Sequence, residues 1–405
     1  MTMQQANYSK YLASLFPNTT WTVERLSGGL VNTTVRATRT SGVCEHVSLI
    51  IKHARPYIEV AGPEWGFSIK RQEVEALFLR MWDDTGPLFD TRMQTGLWRS
   101  PRCLHHQEGK ESALGLTDED QEASVLILSD LGNLINIFTF LQTHARDPWI
   151  EIGDRLKQLG YSLGRIVASI HSQDTLNKAI AVPGTTEELT QSLAGDIVRI
   201  AAVEPVRDRL GTLPNGGQLY KRVEEDYRSP KSNYRWAMTL GDFTQGSILM
   251  RPPDEADDWT PTIVDWEFGQ LNGRGVNGDT AQFLAHLHCE ILAHADDAPL
   301  HCVLTAFTEQ FCAGYRETAR LALKQHAGDE NLQLLRGAFI THGREMVNQA
   351  AEQYAGHSKF DNIFRVGVWY LERAGNDAEE FAVEENWAKL KEEDGGILQS
   401  LLQRP

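Results

Sequence analysis

Residues 240–250 read L-G-D-F-T-Q-G-S-I-L-M, and residues 262–269 read T-I-V-D-W-E-F-G. Each stretch contains a short apolar run, at 248–250 and at 263–264. The segment between them, 252–261, holds four acidic residues and three prolines. Proline cannot donate a hydrogen bond to a central strand, and acidic residues suit turns, so this composition predicts a hairpin of two short strands. The rest of the chain is organised around this hairpin.

The predicted hairpin carries two carboxylates near its strand ends. Asp242 precedes the first strand, Asp265 ends the second, and Ser247 lies between them in the sequence. A short hairpin brings both carboxylates to the same end. Two carboxylates with a small oxygen ligand are typical of a hard-cation site beside a proton-transfer group. These residues alone are equally consistent with Asp242 as a turn residue and Asp265 as a strand-end cap.

Length and charge limit the class of protein. A chain of 405 residues is too long for one small core, so we expect one large bilobed unit or two domains. The net charge of −16 argues against a nucleic-acid backbone or an anionic membrane as the main partner. The five cysteines fit no zinc-binding spacing, and the N-terminus has no apolar leader segment. We therefore expect reduced thiols and a cytoplasmic location.

A small-residue turn interrupts a β-like stretch near the N-terminus. Ser27, Gly28 and Gly29 separate apolar residues that predict two strands. Paired glycines let another group approach the backbone closely, and their amide N–H groups can meet a phosphate. Because paired glycines also form ordinary hairpin turns, that interpretation stays open.

The next strand and helix contain a candidate ion pair. Lys52 ends the predicted strand 47–54, on the same face as Ile50. The helix that begins near Ser68 places Glu73 at the border of its buried face, where it could pair with Lys52. Glu75 points about 200° away from Glu73 and is expected to be solvated. A solvated lysine without a partner is the alternative.

From about residue 134 the chain is predicted to be mainly helical, with a lobe boundary near residues 132–133.

The segment G-Y-S-L-G at 160–164 matches a nucleophile elbow, but a helical apolar stripe continues through it, so Ser162 is expected in mid-helix. Its two glycines would instead let helices pack closely. His171 is expected to cap that helix. The acidic segment 379–396 predicts an amphipathic helix, to which we assign no catalytic or binding role.

Seven segments, in chain order, resemble the aminoglycoside phosphotransferase-like small-molecule kinases, most closely the methylthioribose kinase and hydroxytryptamine kinase branches. The segments are R-L-S-G-G-L-V-N-T-T-V-R (25–36), S-L-I-I-K-H-A-R-P-Y (48–57), V-A-G-P-E-W (60–65), V-L-I-L-S-D-L-G (125–132), L-G-x-x-L-G-x-x-x-A-x-x-H (159–171), L-G-D-F-T-Q-G-S-I-L (240–249) and I-V-D-W-E-F-G (263–269). Their order also matches the parts that phosphoryl transfer from ATP requires.

The resemblance implies an α+β, bilobal, protein-kinase-like fold. Residues 1–133 would form a mainly β nucleotide-binding lobe with one key helix, and residues 134–405 a larger, mainly α lobe with the catalytic loop, metal site and acceptor pocket. The implied activity is ATP- and Mg²⁺-dependent transfer of the γ-phosphoryl group to a hydroxyl of a small molecule, such as a thiosugar, an amino alcohol or a hydroxyindole. It implies neither a nucleic-acid nor a membrane partner.

The resemblance also implies residue roles. Asp242 would orient or deprotonate the acceptor hydroxyl. Ser247 and Asp265 would hold Mg²⁺, and Glu267 would offer a second metal contact. The expected nucleotide contacts are Ser27, Gly28, Gly29 and Asn32 in the phosphate loop, Lys52 paired with Glu73 at the α/β phosphates, and Ser129, Asp130 and Leu131 at adenine.

Acceptor contacts are expected in segments 271–290 and 340–370. Asp279 resembles the acid that follows the metal motif in the family, and Arg344 lies near where methylthioribose kinases carry substrate-contacting arginines. A solvated position is the alternative for Arg344. Trp369 and Tyr370 are expected to belong to the core, because large aromatic residues mostly serve packing.

Two positions depart from the family pattern. Leu240 stands where most relatives have a histidine, and Ser247 stands where most have an asparagine. The alternative function is therefore a catalytically inactive, nucleotide-binding pseudokinase.

Overall fold

The computed structural model describes residues 6–27, 29–95, 98–182, 198–228, 236–253, 255, 258–321, 330–383 and 397–401. The strands are β1 Thr20–Arg25, β2 Thr33–Ser41, β3 Ser48–Ala54, β4 Tyr57–Ile58, β5 Gly62–Gly66, β6 Cys103–Lys110, β7 Glu122–Ser129, β8 Ile135–Asn136, β9 Trp236–Thr239, β10 Ile248–Met250, β11 Thr262–Ile263 and β12 Gln270–Arg274.

The helices follow the same chain order. They are α1 Tyr8–Leu15, α2 Arg71–Trp82, α3 Phe89–Thr95, α4 Glu111–Leu114, α5 Ile137–His144, α6 Trp149–Ile170, α7 Gln173–Ile180, α8 Glu204–Leu210, α9 Gly216–Arg228, α10 Ala281–Ala293, α11 Ala298–Ala319, α12 Glu330–Glu352, α13 Phe360–Arg373, α14 Ala378–Phe381 and α15 Ile397–Leu401. Single π-helical turns occur at Arg199–Val203 and Gly275–Thr280, and a 3₁₀ turn at Gln245–Ser247.

The chain forms two compact units. The first comprises Met1–Gly86, Ser100–Asn133 and Trp266–Phe268, and the second comprises the intervening segments and the remainder to residue 405. The first is built on an antiparallel sheet, and the second is mainly helical. The predicted α+β class with a β-rich and a helix-rich part is therefore confirmed. Segment 87–99 belongs to the second unit and segment 266–268 to the first, and no pattern in the sequence predicted this.

The sheet of the first unit has the strand order β1-β2-β3-β7-β6, and every neighbouring pair is antiparallel. On β3, Leu49 and Ile51 are fully buried in a core that includes residues of α1 and β7. Fully burying one such side chain contributes roughly 1.5–3 kcal/mol relative to exposure. Because side chains alternate along a strand, Ile50 and Lys52 lie on the opposite face, as predicted. Helix α2 packs against β6 and β7.

Helices α6 and α11 pack closely in the second unit, and two glycines of α6 make this approach possible. A Cβ atom at Gly160 would lie 2.5 Å from the Phe307 carbonyl oxygen, and one at Gly164 would lie 2.1 Å from that of Phe311. Ser162 lies within the continuous helix α6. The prediction of a helical glycine pair is confirmed, and the nucleophile elbow is excluded because it requires a strand before the serine.

The predicted hairpin of the second unit is confirmed. Strands β10 and β11 pair antiparallel with Ile248 opposite Ile263, and β8 pairs with the other edge of β10. The second strand is Thr262–Ile263, one residue earlier than predicted, and Val264 N–H donates to the Ser247 carbonyl in the same register. Residues 254, 256 and 257 of the connecting loop lie outside the described residues.

Three further sequence predictions concern the helical part. Trp369 and Tyr370 are buried, which confirms their place in the core. Of the predicted acidic helix 379–396, residues 384–396 lie outside the described part of the chain. Within the described ranges, every helix is too short or too polar to cross a bilayer.

Candidate functional site

Lys52 is paired with Glu75 in the first unit. Its Nζ lies 2.7 Å from Glu75 Oε1 and 2.9 Å from Oε2. Glu75 is 1% exposed and Lys52 is 9% exposed. A lysine held by a buried carboxylate is a fixed cationic donor, which is the form that phosphate oxygens of a nucleotide require.

The predicted pairing of Lys52 with Glu73 is therefore wrong. Glu73 binds Lys70 at 3.1 Å, and its side chain is 40% exposed. Leu77, which lies one turn after Glu73, is only half-buried. Helix α2 buries two neighbouring rows of residues at the spacing i, i+4, i+7: one is Val74, Phe78 and Met81, and the other is Glu75, Leu79 and Trp82. The buried face of the helix is therefore wider than predicted, and it includes Glu75 rather than Glu73.

A buried arginine connects two predicted site residues of the first unit. Asn32 Nδ2 donates to Glu267 Oε2 at 2.7 Å, and Asn32 Oδ1 accepts from Arg71 Nε at 3.0 Å. Arg71 is fully buried and also donates to the backbone carbonyls of Arg55 and Phe67. Burial lowers the pKa of Arg71 to about 10, and the Glu267 carboxylate opposes this shift.

Sequence reasoning missed Arg71 because it belongs to no motif. Its contacts join the segment after β1, the segment after β3 and the D-W-E-F-G segment, which are far apart in sequence. The predicted phosphate-loop residue Asn32 and the predicted metal residue Glu267 are thus brought together. Neither side chain is solvent-exposed, since Asn32 is 3% and Glu267 is 7% exposed.

The small-residue turn joins β1 to β2 as a hairpin connection. Leu26 N–H donates to the Thr34 carbonyl, and Ser27 and Gly29 are exposed at the turn. A Cβ atom at Gly29 would lie 2.9 Å from the Asn32 carbonyl oxygen, so a larger residue would not fit without movement. Gly28 lies outside the described residues. Binding of phosphate by this turn stays a prediction.

The predicted adenine segment follows the end of β7. Ser129 exchanges two hydrogen bonds with the Arg102 backbone, through its own N–H and its hydroxyl oxygen. Asp130 forms an ion pair with Arg36 at 2.8 Å and accepts a hydrogen bond from Gly132 N–H. The Ser129 N–H is therefore already used, and an adenine contact by the backbone of Ser129, Asp130 and Leu131 stays a prediction.

The Asp279 carboxylate binds the backbone of the segment that precedes β10. Its Oδ2 accepts from Leu240 N–H at 2.7 Å, and its Oδ1 accepts from Gly241 N–H at 2.9 Å. Asp279 is 3% exposed and lies in the π-helical turn Gly275–Thr280, a form of helix that often occurs at functional sites. Leu240 is therefore fixed through its backbone.

His171 extends this support. Its Nε2 lies 3.3 Å from Asp279 Oδ2, and its Nδ1 lies 2.9 Å from the Tyr315 hydroxyl. His171 does cap α6, as predicted, but its side chain also reaches Asp279. The final histidine of the segment 159–171 was the sequence signal for this contact. A Cβ atom at Gly275 would lie 3.0 Å from the imidazole ring, so a larger residue there would require the ring to shift.

Asp242 is held by Gln282, whose Nε2 donates to Asp242 Oδ1 at 2.7 Å. Ser247 is 2% exposed; its hydroxyl donates to the Asp242 carbonyl at 3.0 Å and accepts from Thr244 N–H at 3.2 Å. A hydroxyl has one donor and two acceptor positions, so these two bonds leave one lone pair on Ser247 Oγ. Gln282 was missed because it lies forty residues after Asp242 and belongs to no quoted motif.

Asp265 has a left-handed backbone conformation, with φ of +62°. This region is unfavourable for residues with a side chain, and such strain clusters at functional sites. Asp265 and the remaining lone pair of Ser247 are hard oxygen donors, which suit Mg²⁺. The described residues contain no group of three or more His, Cys, Asp or Glu that could hold a metal. Phosphate oxygens and water would have to complete the coordination, as is usual for Mg²⁺.

The second unit contains a cavity of about 330 Å³. Its lining residues are Val198, Tyr227, Thr239, Gly241, Gln270, Asn272, Arg274, Asn277, Gly278, Asp279, Gln282, Thr341 and Arg344. Gly241 directly precedes Asp242, and Gln282 donates a hydrogen bond to Asp242. The cavity therefore adjoins the candidate catalytic residue. Arg344 and Asp279, both predicted near the acceptor, are brought together here. The Arg344 guanidinium pairs with Glu345.

No family model matches the chain. A curated 4-hydroxytryptamine kinase from Psilocybe cyanescens is 23% identical over 260 residues, which cover 60% of this chain and 62% of that relative. The match thus spans less than two thirds of the relative's length. It confirms the predicted resemblance to small-molecule kinases of this group.

Two solved structures are also similar. A protein described as an aminoglycoside phosphotransferase, from Ralstonia eutropha, has a TM-score of 0.46 and 11% identity, covering 93% of this chain and 98% of that one. A choline kinase from Cryptosporidium parvum has a TM-score of 0.43 and 10% identity, covering 91% and 92%. Similarities of this size do not establish a function.

Proposed function

We propose that this protein is an ATP- and Mg²⁺-dependent O-phosphotransferase that transfers the γ-phosphoryl group to a hydroxyl of a small molecule. The observation that carries the proposal is the buried ion pair between Lys52 on β3 and Glu75 on the following helix. In kinases, a strand lysine held by a helix glutamate contacts the nucleotide phosphates. The similarity to a hydroxytryptamine kinase supports the same class.

The nucleotide would be bound by residues of the first unit. Lys52 would contact the α and β phosphates, with Glu75 in the role first given to Glu73. Asn32, with Ser27, Gly28 and Gly29, would line the phosphate turn. Asp130 and Leu131 would offer backbone groups to adenine. Arg71 would act indirectly, by fixing the Asn32 side chain.

Mg²⁺ would neutralise phosphate charge when bound. Asp265 is the principal ligand in this proposal, and Ser247 and Glu267 are additional oxygen donors.

Asp242 would receive the acceptor's proton. The acceptor oxygen forms a bond to the γ-phosphorus as the bond from that phosphorus to the β–γ bridging oxygen breaks, and ADP leaves. The hydroxyl proton passes to the Asp242 carboxylate. Gln282 fixes the orientation of this carboxylate, and Asp279 fixes the backbone on which it stands. Positioning of this kind is the main contribution of the protein to phosphoryl transfer.

A mass-spectrometric screen tests the proposed function. Purified protein is incubated with Mg-ATP and a library of sugars, amino alcohols and hydroxyindoles, with EDTA and Asp242→Asn samples as controls. The expected result is one class of acceptor that gains a phosphate only when both Mg²⁺ and Asp242 are present. Saturable ATP binding without transfer to any acceptor would instead support the inactive, nucleotide-binding alternative.

A further inference from the structure

Arg36 lies on the same face of the first sheet as Lys52. In the ladder between β2 and β3, Arg36 is opposite Ile50, two residues before Lys52, and the alternation of side chains places all three on one face. The other face, which includes Val35 and Leu49, is buried in the core. A second cationic side chain therefore shares the face that carries the proposed phosphate contact.

The Arg36 guanidinium binds the segment that follows β7. Its Nε lies 2.8 Å from Asp130 Oδ2, and its Nη2 donates to Asp130 Oδ1 at 3.2 Å. Nη2 also donates to the Gly132 carbonyl at 2.7 Å, and Nη1 donates to Asn133 Oδ1 at 2.9 Å. All three guanidinium nitrogens thus contact residues 130–133. An arginine that meets both oxygens of one carboxylate fixes its partner more firmly than an ordinary surface pair does.

The turn at residues 130–132 keeps the Asp130 carboxylate inside and leaves its backbone accessible. The Asp130 side chain is 4% exposed, whereas the residue as a whole is half-buried, so its exposed part is mainly backbone. Asp130 Oδ1 also accepts Gly132 N–H at 2.9 Å. Gly132 has a φ of +89°, a conformation that glycine adopts readily. The contacts of Arg36 therefore fix a tight turn that presents peptide groups.

This turn lies at a useful distance from Lys52. Leu126 of β7 is opposite Lys52, and Asp130 follows four residues later. Four residues of strand span roughly 13 Å, a length that an extended nucleotide can bridge. Under the proposed function, on which this inference rests, Lys52 contacts the phosphates at one end of this span. The peptide groups of residues 130–131 meet the base at the other end.

Peptide groups at fixed positions distinguish adenine from guanine. Adenine carries an amino donor where guanine carries a carbonyl acceptor. A site that is built to bond one pattern rejects the other, because its own polar groups are then left unpaired. A backbone that can move adapts to either pattern, so this discrimination requires a fixed segment.

We propose that Arg36 is a positioning residue for the nucleotide base. It holds the backbone of residues 130–132 in the conformation that binds adenine. Arg36 thereby contributes to the affinity for ATP and to the preference for ATP over GTP.

Calorimetric titration of Mg-ATP and Mg-GTP into the full chain tests the inference. Arg36→Met keeps the apolar stem of the side chain and removes the contacts to residues 130–133. The expected result is an ATP affinity lowered about tenfold or more, the size of lost charge-assisted bonds, with a smaller change for GTP. Retained GTP binding also shows that the variant is folded. Unchanged ATP affinity, or equal losses for ATP and GTP, would overturn the inference.

Arg39→Met is the matched control. Arg39 lies on the same strand and donates to the His46 carbonyl at 3.1 Å, away from the turn that Arg36 holds. This variant should leave the ratio of the ATP and GTP affinities as it is in the parent. A ratio that falls as far as in Arg36→Met would count against a specific role of Arg36.

Asp130→Asn is a second, independent variant. It keeps an oxygen for the Gly132 N–H and removes the charge that holds Arg36. It should shift the ratio of the ATP and GTP affinities in the same direction, and it should add little to Arg36→Met, because both changes remove one interaction. Fully additive effects would show that the two residues act separately and would overturn the inference.

Turnover separates this inference from the kinase proposal. With the acceptor found by the screen, the KM for ATP should rise in Arg36→Met while kcat at saturating ATP stays close to the parent value, because only binding of the base is affected. A selective loss of ATP affinity without phosphate transfer to any acceptor would contradict the kinase proposal alone. Turnover with an unchanged KM for ATP in Arg36→Met would contradict the inference alone.

Discussion

Lys52 Nζ lies 2.7 Å from Glu75 Oε1, whereas Glu73, two residues earlier on the same helix, pairs with Lys70 near the surface. The two glutamates differ in burial, since the side chain of Glu75 is 1% exposed and that of Glu73 is 40% exposed. Chemistry that depends on a fixed lysine should therefore depend on Glu75 and be indifferent to Glu73.

Glu75→Gln should weaken both folding and nucleotide use. The substitution leaves the Lys52 charge buried without its counter-charge, which costs about 3–5 kcal/mol for a buried pair. The KM for ATP should rise at the same time. Urea unfolding and steady-state kinetics measure the two effects. The matched control is Glu73→Gln, which should change the free energy of unfolding by no more than about 0.5 kcal/mol. Equal effects of the two substitutions would contradict the assignment.

A double variant distinguishes a structural from a nucleotide-binding role for this pair. Lys52→Met with Glu75→Leu replaces the ion pair by apolar groups, which is often neutral or stabilising for folding. We expect the double variant to recover stability relative to Glu75→Gln and still fail to bind ATP. Recovery of ATP binding together with stability would show that the pair serves packing only.

Gln282→Leu should lower turnover without preventing ATP binding. Gln282 donates to Asp242 Oδ1, and a hydrogen bond to a charged group contributes about 1.5–3 kcal/mol, or roughly a 10- to 100-fold change in rate. The KM for the acceptor should rise too, because Gln282 lines the cavity. Gln158→Leu, at an exposed position of α6, is the control. A normal kcat in Gln282→Leu would show that Asp242 needs no such support.

Stability at low pH should depend on Glu111. Burial alone would raise the pKa of Glu111, but hydrogen bonds from His53, Arg55 and Thr117 lower it to about 2. The Arg55 and Thr117 bonds are 2.6 and 2.7 Å long. Because the folded-state pKa lies below the ordinary value, the stabilisation is present above the unfolded-state pKa and is lost as the pH falls toward about 2.

Glu111→Gln should therefore be much less stable than the parent at pH 7 and closer to it at pH 3. Urea unfolding at several pH values measures the difference. A difference that stays constant from pH 7 to pH 3 would mean that the carboxylate charge contributes nothing to folding.

Gly164→Ala should destabilise the second unit. Its Cβ atom would lie 2.1 Å from the Phe311 carbonyl oxygen, so α6 and α11 would have to separate, and overpacking of this kind costs about 1–3 kcal/mol. Gly217→Ala, in helix α9, is the control, because no atom lies within 4 Å of its added Cβ. It should stabilise by about 0.4–1 kcal/mol. Thermal unfolding of the two variants shows whether the two substitutions change the stability in opposite directions.

Local patterns predicted much of this molecule. The hairpin, the strand that carries Lys52, and the close approach of helices at Gly160 and Gly164 all follow from the spacing of apolar residues, prolines and glycines over short stretches. These features are determined by residues near one another in sequence, which is why they could be read without the structure.

The contacts that were missed join residues far apart in the sequence. Arg71 contacts Asn32 and Glu267, and His171 contacts Asp279, which lies 108 residues later. A single sequence gives no measure of such contacts. The error over Glu73 has a related origin, because the face that α2 buries depends on the strands it packs against. Tertiary contacts decided these points.

The central claim is that Asp242 assists transfer of the γ-phosphoryl group to an acceptor hydroxyl. Its most direct test is single-turnover transfer from γ-labelled ATP to the acceptor found by the screen, compared between the parent and Asp242→Asn. The account predicts a rate lowered by about 100-fold or more, the range of general-base contributions, with ATP affinity unchanged. A parental transfer rate in Asp242→Asn would contradict it.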